Sequence, residues 1–230
     1  MIYWIILIGF MLLGYGVQAR LKNKFKKYSK EMLTLGLSGK EIAEKMLHDN
    51  GIYDVRVIST PGRLTDHYNP RDKTVNLSEA VYNERSIAAA AVAAHECGHA
   101  VQHAKAYSWL QFRSAMVPVV NFSSQIMGLL FMVMMFGGLV MYWFPFTAVI
   151  WVIVGAQAAI TLFSVVTLPV EFDASKRALV WLESTGTMGR TEHEKAKDAL
   201  NAAASTYVVS ALAAITQLAY WVMVLLGSRD

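Results

Sequence analysis

Apolar side chains run along the 230-residue chain in four long blocks, separated by two charged stretches. The blocks cover 2–17, 116–143, 146–168 and 208–226, and none of them holds a charged residue. A bilayer core of about 30 Å takes about 20 helical residues, with 17 or so sufficing. Each block therefore reads as a membrane span, the first being slightly short. Between the first two spans the pattern changes period. "SGKEIAEKMLHDNG" predicts an amphipathic helix capped by Ser38 and stopped at Gly51, with Ile42, Met46 and Leu47 on one face. "YDVRVIS", "RLTDHY" and "KTVNLS" predict three strands, the last two joined at the turn "NPRD". A short helix from Ser78 follows, then a long one from Ser86 through "AVAAHECGHAVQHA". Its alanines permit close packing, which makes it the central buried helix of an α+β domain. In the second charged stretch Pro169 opens a helix, and Thr191 with Glu194 reads as a capping box for the helix entering the last span.

Composition sharpens this picture. The 55% hydrophobic content exceeds the roughly 45–50% of soluble domains. Residue 1 opens an apolar run that "ARLKNKFKK" closes, the pattern of an uncleaved anchor. The segment 18–115 carries 15 of the 21 basic residues, and the turn "YWFPF" between spans two and three carries none. By the positive-inside rule both charged stretches face the cytoplasm, with the N-terminus and the tail outside. Six basic residues, from Arg20 to Lys30, follow the first span directly. There they suit anionic lipid, and no nucleic-acid partner is expected. A single cysteine, Cys97, makes no intrachain disulfide, in keeping with a cytoplasmic domain. The expected fold is thus membrane α-helical, about four spans, with a cytoplasmic α+β domain. Its parts are an anchor (1–19), a cytoplasmic segment (20–115), a membrane hairpin (116–168), a second cytoplasmic segment (169–206) and a final span with its tail (207–230).

The chemistry concentrates in the long helix. His95, Glu96 and His99 form H-E-x-x-H, and residues four apart stack on one helix face, so both imidazoles can reach one ion. Glu96 falls on the neighbouring face, placed to act on a water molecule. A catalytic zinc needs about three protein ligands. His103 lies eight residues beyond His95, about 12 Å along a straight helix, too far to share the ion. "LPVEFDASKRA" supplies a carboxylate instead. Two spans separate it from His99, so the chain returns to the same membrane face, with Glu171 favoured over Asp173. Cys97 points off the histidine face and reads as a packed residue. His48 and His193 read as surface residues, and "FMVMMF" as lipid-facing or helix-packing filler.

Three motifs in order, "LTDHYNPRDKTVNLSEAVY", "SIAAAAVAAHECGHAVQHA" and "LPVEFDASKRAL", resemble the YugP-like neutral zinc metallopeptidases of bacterial membranes. The likeness covers most of 20–185 and extends distantly to the heat-shock and prenyl-protein membrane metallopeptidases. The resemblance implies a zincin-like, gluzincin-like domain with one zinc per chain bound by His95, His99 and Glu171, and Glu96 as acid/base. The distant relatives carry an aspartate four residues after the ligand glutamate; here that residue is Ser175. Asp173, Ser175 and Asp66 are the candidates for orienting the histidines.

The expected reaction is metal-assisted peptide hydrolysis near the cytoplasmic surface of a bacterial membrane, on peptides or membrane-protein segments. His67, His103 and Tyr68 are candidate donors to the oxyanion, and "RLTDHY" is a candidate edge for an extended substrate. Two other classes compete: a zinc-stabilised scaffold without turnover, which would tolerate Glu96→Gln, and a transporter, which would carry charged or broken spans. Nothing in the sequence assigns an oligomeric state.

Overall fold

The structure, a computed structural model, describes residues 2–136 and 145–227. The far end of the second span, most of the "YWFPF" turn and the tail at 228–230 lie outside the described residues, as do the side chains of Met134, Met135 and Phe136. The elements are α1 (Ile2–Tyr28), α2 (Gly39–Asp49), β1 (Arg56–Thr60), β2 (His67–Asn69), β3 (Thr74–Ser78), α3 (Glu79–Tyr82), α4 (Ile87–Ala104), α5 (Ser108–Phe136), α6 (Phe146–Ser184) and α7 (Arg190–Gly227). Four of them, α1, α5, α6 and α7, are long and apolar enough to cross a membrane. Contacts divide the chain into two units: 1–15, 112–168 and 207–230 form one, and 16–111 with 169–206 the other.

In the apolar unit, two buried polar side chains of α6 find a backbone partner on a neighbouring helix, which lowers the cost of burying them in a bilayer. Gln157 Nε2 and Thr161 Oγ1 of α6 both donate to the Ala214 carbonyl of α7, at 3.3 and 3.0 Å. Tyr3 of α1 packs against Tyr220 and Trp221 of α7, with ring centroids 5.1 and 5.4 Å apart.

The second unit is built around α4. Ser86 caps it, accepting from the Ala89 N–H, and the six alanines between 88 and 94 are all buried. Ile42, Met46 and Leu47 of α2 pack into the same core, with Val75 and Leu77 of β3 and Trp181 and Leu182 of α6. Burying each of these large side chains contributes about 1.5–3 kcal/mol. β3 is the central strand, buried along its whole length, parallel to β1 and antiparallel to β2. Ser38 makes a full capping box with Glu41 on α2.

Five local expectations change. "RLTDHY" is strand only from His67, because Leu64 sits at φ 58° and breaks the extended run. α1 continues past the first span to Tyr28, since lysines are good helix formers and carry the helix on. Pro169 lies inside α6, so Glu171 is not in a first turn and owes nothing to a helix dipole. α7 starts one residue before Thr191, and Glu192 provides the reciprocal cap by accepting from the Gly189 N–H at 2.9 Å. His193 is mostly covered, its Nε2 3.9 Å from Glu183.

Asp198 of α7 joins α1 to this unit. It accepts from Lys24 Nζ at 2.6 Å and from Tyr28 Oη at 2.5 Å. The Lys24 and Tyr28 hydrogen bonds hold its carboxyl below the usual range, and the same bond raises Tyr28 to about 12. A lowered carboxylate stabilises the fold fully above its unfolded value of ~4 and loses that contribution as pH falls through its folded value; the raised tyrosine contributes below ~10 and is lost only as pH rises further. The Lys24 and Asp198 side chains are about one-third exposed, so solvent screens the pair. Asp198→Asn should therefore lower stability by about 1 kcal/mol at neutral pH. In thermal unfolding of the detergent-solubilised protein, the gap to wild type should close as pH falls below ~4.

Candidate metal centre

His95 and His99 project from one face of α4, their ring centroids 4.9 Å apart and their planes at 84°. Glu171 of α6 faces them, its Oε2 3.4 Å from His95 Nε2 and 3.7 Å from His99 Nε2. One ligand atom from each of the three lies within 4.8 Å of the others. The close approach comes from Gly98. A Cβ there would meet the Ala174 carbonyl oxygen at 2.5 Å, so the α4 and α6 backbones touch where Gly98 has no side chain. Ala174 is three residues beyond Glu171, which fixes the carboxylate opposite the imidazoles.

Glu171 is 4% exposed and its Oε2 has no hydrogen-bond partner among the described residues. The ring contacts are ion-pair distances without hydrogen-bond geometry. Burial pushes the Glu171 carboxyl up, but the two imidazoles outweigh it and hold it well below the usual carboxylate range. Burial likewise lowers His99, and the Glu171 carboxylate reverses this and raises it. Two imidazole nitrogens converging with an otherwise unpartnered buried carboxylate oxygen form the N₂O donor set of a catalytic zinc. The residues present fit that ion.

The far side of each ring is also held. His95 Nδ1 lies 3.0 Å from Ser175 Oγ, and His99 Nδ1 lies 3.0 Å from Gln102 Oε1. Gln102 is fully buried, and its Nε2 donates to the Val170 carbonyl and to Asp173 Oδ2, both at 2.8 Å. With both amide protons committed, Gln102 can only accept from His99, which places the ring proton on Nδ1 and turns the bare Nε2 toward Glu171. Asp173 also pairs with Arg177 at 2.5 Å. It therefore reaches His99 only through Gln102, not directly as expected. Asp66 does not serve the histidines: it accepts from Ser78 N and Oγ at the end of β3, and burial raises its carboxyl.

Glu96, 8% exposed, accepts from the Tyr68 backbone N–H at 3.1 Å. Alternate residues of an edge strand turn their N–H away from the paired strand, and Tyr68 turns its own onto Glu96. The Tyr68 hydroxyl is 2.8 Å from His103 Nδ1. His103 is exposed and lies outside the His95–His99–Glu171 group. Tyr68 and His103 help line a cleft of about 270 Å³ together with Ile52, Val55 and Ala104. His67 is exposed, its Nδ1 2.8 Å from the Thr65 carbonyl. Cys97 is buried beside the Ala43 carbonyl, and burial pushes its thiol well up.

A family model described as "Putative neutral zinc metallopeptidase" matches residues 3–226. The chain belongs to that family. It is 40% identical to a Bacillus subtilis protein named "Putative membrane protease YugP", over all of this chain and 99% of that protein. No solved structure matches the chain.

Sequence reading missed two residues of this candidate site, Gly98 and Gln102. Gln102 had a signal: it is a lone amide in an alanine–valine stretch, three residues after His99 and so on a neighbouring turn of the same side. Gly98→Ala should force α4 and α6 apart and weaken zinc binding at least about tenfold. Gln102→Leu should weaken it about 10–100-fold by releasing the His99 ring. Competition against a chromogenic chelator measures both.

Proposed function

We propose that the protein is a membrane zinc endopeptidase that cleaves peptide bonds near the cytoplasmic membrane surface, with one zinc held by His95, His99 and Glu171. The observation that carries this reading is the unpartnered Glu171 oxygen facing two imidazoles, with Glu96 buried beside them on the next face of α4. When bound, zinc supplies Lewis acidity toward a carbonyl and a water molecule.

The chain's own residues supply the rest. Glu96 takes a proton from the attacking water and delivers it to the leaving amine. The Tyr68 N–H holds the Glu96 carboxylate in place for both transfers. β2 pairs with β3 on one side only, so a substrate can lie extended along its other side, bound through the backbone groups there that Glu96 does not engage, with little side-chain selectivity. The Tyr68 hydroxyl, His103 and His67 stand along this strand or next to it and are the polar side chains available to the substrate. Gln102 and Ser175 hold the histidine rings.

Glu171 follows the apolar block 146–168 by three residues, and the basic residues of both charged stretches favour the cytoplasmic side. Together these support substrates that are cytoplasmic loops and tails of membrane proteins. Anionic lipid attracts the lysines that follow the first span. The test is cleavage of an unfolded membrane-protein substrate by the detergent-purified, zinc-loaded chain. Wild type should cut it, while Glu96→Gln should lose at least about 100-fold in rate and still bind one zinc. Equal cutting by both forms would remove Glu96 from the mechanism. Failure of both to cut a panel of such substrates with zinc bound would favour a scaffold.

A further inference from the structure

α5 carries a polar face that none of the described residues covers. At about 100° per residue, Asn121, Ser124, Gln125, Gly128 and Met132 fall on one side of the helix. Met116 and Ser123 fall on the opposite side and are buried, 7% and 5% exposed, whereas the five are all exposed. From Met116 onward, the packed face of α5 and its polar face therefore point in opposite directions. Neither the Asn121 nor the Gln125 amide has a hydrogen-bond partner among the described residues. Arg113 is the last charged residue before this stretch, and Gln125 lies 12 residues beyond it. That is about 18 Å along the axis, well inside a hydrocarbon core of about 30 Å. Lipid tails offer an amide no hydrogen bond, so side chains of this kind at this depth seek a partner helix.

We propose that this face of α5 is the seam of a homodimer, covered by the same face of a second copy running parallel across a two-fold axis. The amides choose the occupant. Each carries both donors and an acceptor, so identical faces related by a two-fold axis satisfy each other reciprocally without any further chemistry. Ser124 and Gly128, four residues apart, add the small surfaces that let two helix backbones approach closely in a membrane. A substrate helix would have to bring complementary polar groups of its own at the same depth.

The test uses the full chain in vesicles of phosphatidylethanolamine and phosphatidylglycerol. Cys97 is fully buried and stays in place, so the unmodified chain is the background. Ser124→Cys and Met132→Cys should form disulfide-linked pairs on mild oxidation. Val119→Cys, 51% exposed but on the other side of α5, should not. The double variant Asn121→Leu with Gln125→Leu should lower the dimer fraction roughly tenfold, read by energy transfer between labelled copies. Zinc binding by the double variant checks that it folds, and the cysteine series does not depend on it. Equal cross-linking at 119 and 124, or undiminished pairing of a folded double variant, would overturn the proposal. So would cross-links at 124 that join only a co-reconstituted substrate helix and never a second copy.

Discussion

The candidate centre depends on one contact, the meeting of the α4 and α6 backbones at Gly98 and Ala174. Two imidazoles on one helix cannot complete a zinc site, and the third ligand must come from a chain segment more than seventy residues away. A carboxylate side chain is short, so its helix must pass close to the histidine helix. With a Cβ only 2.5 Å from a backbone oxygen, any side chain at Gly98 would prevent this. The glycine inside H-E-x-x-H is thus as much a part of the site as its ligands. The alanines around it serve the same end by letting α2 and the sheet close over α4.

The polar groups around the site are arranged so that each constrains the next. Val170 and Asp173 commit the protons of Gln102, Gln102 fixes the His99 tautomer, and Ser175 holds His95. Inside a buried core such a network is costly when incomplete, and here each member has its partner. The unpartnered Glu171 oxygen stands out against that background and marks where a cation fits. Glu96 is kept out of the donor set by helix geometry and is positioned by the edge strand. Under the proposed mechanism this would separate holding the ion from moving protons.

Elsewhere the same accounting of polar groups applies at membrane depth. Gln157 and Thr161 are buried and bonded to a carbonyl of α7, whereas Asn121 and Gln125 are exposed on α5. The first pair is satisfied within a single chain, whereas the second faces outward. Pro169 lies within a continuous helix, so Glu171 is mounted on a rigid element and not on a loop.

Much of this was legible in the sequence because it depends on short-range periodicity. Charge-free apolar blocks of membrane length, the Ser38 cap, the start of the long helix near Ser86, and the stacking of His95 with His99 all follow from the period of a helix, its capping chemistry or the width of a bilayer. Where local signals compete, sequence reading slipped. Pro169 and Thr191 look like helix starts, yet α6 runs through one and α7 is capped by Glu192. Sequence also favoured Glu171 over Asp173 without separating them, since both lie within a few residues on a helix. Only the tertiary structure decided that Glu171 faces the imidazoles while Asp173 turns to Gln102 and Arg177. That choice rests on a backbone approach between residues 98 and 174, and no local pattern encodes a contact across that distance. The sequence determined which residues could do the chemistry. Packing at a glycine decided which of them meet.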